Sequence, residues 1–195
     1  MEHIDLIFSK YETDKSSKFH NYSRQYEELL KPFRTSPITF LELGVYHGGS
    51  IKAFREVFKD AVKIVGVDIH QYCKQYENKD KNIYIEIGDV TDKEFIDNLI
   101  QQHGPFDIII DDASHINRNV IQSFELLFPS MNDNGLYIVE DTSVINDSSF
   151  IDPKYPSHTQ YFYNYVKFIN QWRFHSTEGI IEHCSDPFTP FPEFI

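Results

Sequence analysis

Apolar runs of strand length alternate along the chain with segments whose apolar residues recur at helical spacing, the pattern of a parallel sheet covered by helices on both faces. The first run is residues 38–45. A helix is predicted over 50–59, where Ile51, Phe54, Val57 and Phe58 share one face, and a second strand over 62–69. Residues 83–87 read as a third strand, followed by a helix over 93–102 that gathers Phe95, Ile96, Leu99 and Ile100 on one side, with Asp92 placed to cap it. A fourth strand at 106–112, a helix at 117–128 ended by Pro129 and a fifth strand at 135–141 complete the series. Before the first strand, residues 24–33 have helical character, with Ser23 as candidate cap and Pro32 near the end. After the fifth, a polar loop leads to an aromatic-rich helix around 158–172 and then a tail rich in Pro and Phe. The expectation is one α/β domain over 1–195, a Rossmann-like and mostly parallel sheet, with a helical flank at 1–35, a core at 36–142 and an aromatic segment at 143–195.

Composition adds exclusions. At 195 residues, 41% hydrophobic and 25% charged, the chain can bury a core without staples and is too apolar for disorder. A net charge of −12 with no Lys/Arg-rich stripe argues against nucleic acid as a substrate. Cys73 and Cys184 have no CxxC spacing, so neither a zinc site nor a disulfide framework is indicated. The first residues lack a basic region followed by an apolar run, and no stretch approaches a membrane span of roughly 18 apolar residues. A cytoplasmic protein without membrane contact is expected.

Ligands of open α/β sheets bind beyond the carboxyl ends of the strands. The first strand ends there in Leu41-Glu42-Leu43-Gly44-Val45-Tyr46-His47-Gly48-Gly49-Ser50. Gly44 and Gly48 allow a tight turn and close approach of backbone to ligand, and the free N–H groups of the next helix can receive a carboxylate or hydroxyl. The spacing is E-x-G-x-x-x-G, which resembles motif I of class I methyltransferases more than the G-x-G-x-x-G of dinucleotide enzymes. Asp68, ending the second strand, could accept hydrogen bonds from both ribose hydroxyls. Asp89 follows the third strand and resembles the methyltransferase acid that meets an adenine amino group. Glu42, Gly44, Gly48, Ser50, Asp68 and Asp89 are therefore the candidate cofactor residues, for S-adenosylmethionine.

The fourth and fifth strands end in Asp111-Asp112-Ala113-Ser114-His115 and Glu140-Asp141-Thr142. Four acids delivered to one sheet edge would repel strongly unless a cation neutralised them, and carboxylates without cysteine suit Mg²⁺ or a similar divalent ion. Alternation along the strand turns Asp111 away from Asp112, toward the cofactor or a supporting hydrogen bond. Glu140 and Asp141, as neighbours, could face one ion only where the strand has ended and the backbone turns.

This edge, D-D-x-S-H above all, resembles the metal-dependent sugar O-methyltransferases of macrolide biosynthesis. The resemblance runs from about Tyr11 to Thr142 and includes Tyr11-Glu12-Thr13-Asp14-Lys15 and His20-Asn21-Tyr22. It implies Asp112, Glu140 and Asp141 as metal ligands, His115 as general base and a sugar hydroxyl as methyl acceptor. A catechol-like phenol would meet the same metal geometry. Class I methyltransferases usually end their sheet in an antiparallel hairpin, whereas the segment after Trp172 offers only residues 179–182 before a run of prolines. A missing or altered hairpin, with the open edge covered by a second copy in a homo-oligomer, is expected. The aromatic residues from Tyr155 to Trp172 would either line an acceptor pocket or pack as core. Two other classes stay open: an NAD-dependent oxidoreductase or epimerase, which Asp89 and the missing G-x-G-x-x-G disfavour, and a non-catalytic nucleoside-binding scaffold.

Overall fold

The computed structural model describes residues 2–175. Five strands, β1 (Thr39–Leu43), β2 (Lys63–Asp68), β3 (Ile83–Ile87), β4 (Phe106–Asp111) and β5 (Met131–Val139), form one sheet of order β3-β2-β1-β4-β5. Every pairing is parallel. Between them run α3 (Gly49–Val57), α4 (Lys93–His103) and α5 (Asn117–Leu127), preceded by α1 (Ile4–Lys10) and α2 (Ser23–Leu30) and followed by α6 (His158–His175). Short 3₁₀ turns, not a helix, link β2 to β3. The Rossmann-like expectation holds, and none of the described helices is long and apolar enough to cross a membrane.

The alternation of side chains along a strand builds two cores from one sheet. Phe40, Ile64, Ile85, Ile108 and Ile110 face α1, α2 and α3, where Phe8, Tyr26 and Phe54 complete the packing. Leu41, Leu43, Val65, Val67 and Ile109 face the opposite way, toward Ile96 and Leu99 of α4. The N-terminal flank is an integral wall of the domain, since Ile4, Ile7 and Phe8 of α1 are buried and each such side chain contributes about 1.5–3 kcal/mol by leaving water.

Element ends depart from the sequence pattern in instructive places. Strand β1 stops at Leu43 because Gly44 adopts φ +93°. Pro32 converts the last predicted turn of α2 into a 3₁₀ turn, Lys31–Phe33, since proline withholds a helical donor. Ser23 is the first residue of α2 and not its cap; Tyr22 takes the cap position without a side-chain bond. Asp92 does cap α4, accepting from the backbone N–H groups of Glu94 and Phe95. Strand β5 begins early, at Met131, through an irregular register before Ile108 pairs with Leu136.

The aromatic residues of the C-terminal helix pack as core: Tyr161, Phe162 and Tyr165 meet Ile121, Phe124 and Phe128. Trp172 and the segment where a missing or altered hairpin is expected lie outside the residues whose side chains are described. Between β5 and α6, residues 142–157 are tied to α5, where Arg118 meets Asp152 at 3.3 Å and Asn117 makes most of the bonds. The amide of Asn117, at the start of α5, donates to the carbonyls of Asp152, Tyr155 and Pro156 at 3.0, 3.1 and 2.9 Å, and its oxygen accepts from Asp152 N–H at 2.7 Å. Asn117→Ala leaves these part-buried groups without their protein partner and is expected to cost about 1–3 kcal/mol, read as a fall in denaturation midpoint with an unchanged slope. A loss under about 0.5 kcal/mol would show that water takes over the bonds without penalty.

Candidate active site

The chain order reverses between β1 and β4, and the carboxyl ends of all five strands open onto a cavity of about 900 Å³ at that point. One end is walled by Gly44, Val45, Tyr46, Asp68, His70 and Asp89; the other by Asp112, Ser114, His115, Asn119 and Asp141. The segment 10–15, following α1, closes one side. Tyr46, His115 and Asp141 on this wall, with Glu12 beside them, hold left-handed backbone conformations that non-glycine residues adopt only under constraint from their surroundings.

At the glycine turn, the absence of a side chain at residue 44 is a steric necessity. A Cβ there would stand 2.1 Å from the carbonyl oxygen of Asp112, so Gly44 is what lets β1 and the end of β4 lie together. Asp68 stabilises the turn: its carboxylate accepts from the N–H groups of Val45 and Tyr46, both at 3.0 Å, and of His70 at 2.8 Å. Burial raises its pKa, but these three backbone donors outweigh that and hold it below the usual carboxylate range. In this structure the residue read from sequence as a ribose acceptor clamps the loop. Asp89 is exposed on the cavity wall, with one oxygen accepting from the N–H and hydroxyl of Thr91 at 2.8 and 2.7 Å.

Two predicted cofactor residues lie beneath the cavity and not on it. Glu42 is fully buried, takes the Ser50 hydroxyl at 2.8 Å and has its Oε1 without a hydrogen-bond partner. Ser50 itself reaches the cavity wall. Asp111 turns toward α5, where the buried Ser123 hydroxyl donates to it at 2.5 Å, which is the supporting bond foreseen from strand alternation. Burial pushes the Asp111 carboxyl up to about 6, opposed by that bond.

At the far end, Asp112, His115 and Asp141 bring one ligand atom each within 4.8 Å of one another. His115 Nε2 stands 3.6 Å from Asp141 Oδ2 and 3.9 Å from Asp112 Oδ1. Asp141 follows the end of β5 in a left-handed turn (φ 51°), which separates its side chain from that of Glu140. Glu140 points inward instead, accepting from the Tyr26 hydroxyl and, at 3.0 Å, from the Lys15 ammonium. Its half of the turn faces the N-terminal flank, with Lys15 between it and Asp112, whereas the resemblance implies an ion shared with Asp112 and Asp141.

That flank supplies the residues for which the sequence offered no role. The Lys15 ammonium binds Asp112 Oδ2 as well as Glu140. The Tyr22 hydroxyl donates to Asp141 at 2.5 Å, and His20 Nδ1 lies 3.3 Å from the same oxygen. The signals were the Tyr11–Lys15 stretch and the His20-Asn21-Tyr22 triplet, and, for Tyr26, its place one helical turn after Tyr22 and one before Leu30. Burial dominates the electrostatics of this end. Burial drives Glu42 up to about 8 against the pull of Lys15, and Glu140 up to about 7. Asp112 is raised for the same reason. Burial also opposes the ionised form of Asp141, but Tyr22, His115 and His20 together lower it. Burial would lower the Lys15 pKa, yet the carboxylates of Glu140, Asp112 and Glu42 more than offset this and raise it.

A parallel sheet in this strand order, with an acid-clamped glycine turn at its switch point, defines a Rossmann-like nucleotide-binding domain. Residues 41–142 match the methyltransferase domain family, and the chain belongs to that family. Mycinamicin VI 2''-O-methyltransferase of Micromonospora griseorubida is 36% identical over 145 residues, 71% of this chain and 35% of that protein. Demethylmacrocin O-methyltransferase of Streptomyces fradiae is 33% identical over 145 residues, 71% of this chain and 36% of that protein. The structure of MycE methyltransferase from the mycinamycin biosynthetic pathway, in complex with Mg and SAH, superposes with a TM-score of 0.79 at 28% identity, over 88% of this chain and 49% of that one. The chain spans about a third of the length of the curated relatives it matches.

Proposed function

We propose that this chain carries an S-adenosylmethionine-dependent O-methyltransferase activity directed at a hydroxyl of a sugar or glycosylated small molecule, assisted by a divalent cation such as Mg²⁺. The single observation that carries the reading is the continuity of one cavity from Asp68 and Asp89 to Asp112, His115 and Asp141. The names of the relatives, sugar O-methyltransferases among them, support the substrate class.

The donor set fits the ion. Asp112 and Asp141 offer carboxylate oxygens on the cavity wall, and burial raises the proton affinity of Asp112, so an ion at its free oxygen would favour its charged form. Bound there, the cofactor supplies an electrophilic methyl group and the cation acidifies a hydroxyl. The chain's own residues do the rest. Asp68 and Asp89 hold the nucleoside through its hydroxyls and base amine. His115 Nε2, on the wall beside both acids, takes the hydroxyl proton, so that the oxygen can attack in line. Tyr22 and His20 fix Asp141 in its turn.

Calorimetry and a turnover assay test the reading together. S-adenosylmethionine is expected to bind in the micromolar range typical of such sites, NAD not to bind, and methyl transfer to a 6-deoxysugar macrolide to cease in chelator and return with Mg²⁺. Binding of NAD in place of S-adenosylmethionine would overturn it in favour of an oxidoreductase. Binding without turnover on any vicinal diol would leave a nucleoside-binding scaffold.

A further inference from the structure

Lys15 is 1% exposed, yet it comes from a loop of the flank and not from a sheet or helix of the core. Its ammonium contacts Asp112 Oδ2, lies 3.0 Å from Glu140 Oε2 and 3.8 Å from Glu42 Oε1. The last distance is an ion pair without a hydrogen bond, and Glu42 Oε1 is the buried oxygen without a hydrogen-bond partner. Asp14 adds an exposed carboxylate at 4.0 Å. The buried Glu42 and Glu140 and the half-buried Asp112, from the ends of three different strands, thus converge on a single monovalent cation, which can match only one of the three carboxylates, and burial opposes ionisation of the others.

Asp112 links this inner group to the outer one. Its Oδ2 meets Lys15, while its Oδ1 faces His115 and, through it, Asp141. We propose that Lys15 is a built-in cation occupying the inner of two adjoining cation positions, and that by filling it the lysine limits the site to one divalent ion and turns Asp112 Oδ1 outward to receive that ion. The inner position, lined by Glu42, Asp112 and Glu140, is then a latent site for a second oxygen-ligated divalent cation. Lys15 acts through Asp112 and is a positioning residue. The assignment of the outer position rests on the function proposed above; that of the inner position rests on the Lys15 contacts alone.

Lys15→Met removes the ammonium and keeps most of the apolar stem, so it opens the inner position with little loss of packing. Mn²⁺ titration of the cofactor-free protein, followed by loss of the free-ion electron paramagnetic resonance signal, counts the sites. One equivalent is expected for the natural chain and for Lys15→Arg, and two for Lys15→Met. One equivalent of unchanged affinity in Lys15→Met would overturn the inference. None in the natural chain and one in Lys15→Met would sustain the inner position while removing the outer ion from the proposed function. Should Lys15→Met be unfolded without metal, Mn²⁺ is expected to restore its melting transition, and a chain that stays unfolded in Mn²⁺ overturns the inference. Lys15→Met/Glu140→Gln, with the buried charge count restored, is expected to fold without metal and to bind its inner ion at least tenfold more weakly than Lys15→Met.

Discussion

Replacing His115 with alanine is expected to lower turnover by about 10²–10⁴ while the affinity for S-adenosylmethionine stays within about twofold, because a general base acts on the transition state and not on cofactor binding. The placement of Nε2 within 4 Å of both Asp112 and Asp141 makes a second measurement decisive. As a base, the imidazole can be lost without loss of the ion, so Mn²⁺ affinity should be nearly unchanged in the variant. A ligand would behave otherwise: Mn²⁺ affinity would fall together with rate, and excess metal would recover part of the activity. An unaltered rate would remove His115 from the chemistry altogether. The imidazole also meets the ring of Phe150, from the segment that Asn117 holds, so it is packed on one side and faces acids on the other.

Gly44→Ala is expected to produce the largest loss of stability of any single methyl group added to this domain's ligand edge. Two costs add: φ +93° is strained for any residue with a Cβ, and the new atom would meet the Asp112 carbonyl oxygen at 2.1 Å and its carbon at 2.8 Å. Both obstacles are backbone, so neither can rotate aside, and the end of β4 must move away from β1. A loss of about 3 kcal/mol or more follows, or a fall in melting temperature of roughly 6–12 °C for a domain of this size. Because the displaced backbone carries Asp112, ion binding should weaken as well. A melting temperature within about 2 °C of the natural chain, with the ion affinity intact, would mean that the turn has more freedom than its geometry allows.

The parallel architecture was legible because strands buried on both faces read as continuous apolar runs, as 108–110 does within β4, and helices between them show one apolar face, as 51–58 does. Chemistry at strand ends was legible for the same reason: alternation placed Asp111 and Asp112 on opposite faces, and the structure finds one under Ser123 and the other against Lys15. The orientation of Glu140 was not, because whether a residue after a strand turns in or out depends on a backbone turn that no period describes. Nor was the clamp that Asp68 makes on the glycine turn, whose partners are main-chain N–H groups and carry no sequence signature.

The sequence by itself determined the order of strands and helices, the glycine turn and the set of acids at the ligand edge, since each follows from local periodicity or from residue types within a few positions. Only the tertiary structure decided which acids meet which cations. Lys15 is separated from Asp112 by 97 residues and from Glu140 by 125, and it reaches both because α1 buries Ile4, Ile7 and Phe8 against α3 and the sheet. Hydrophobic burial of the flank, which has no direction of its own, thereby fixes a directional charge network at the site.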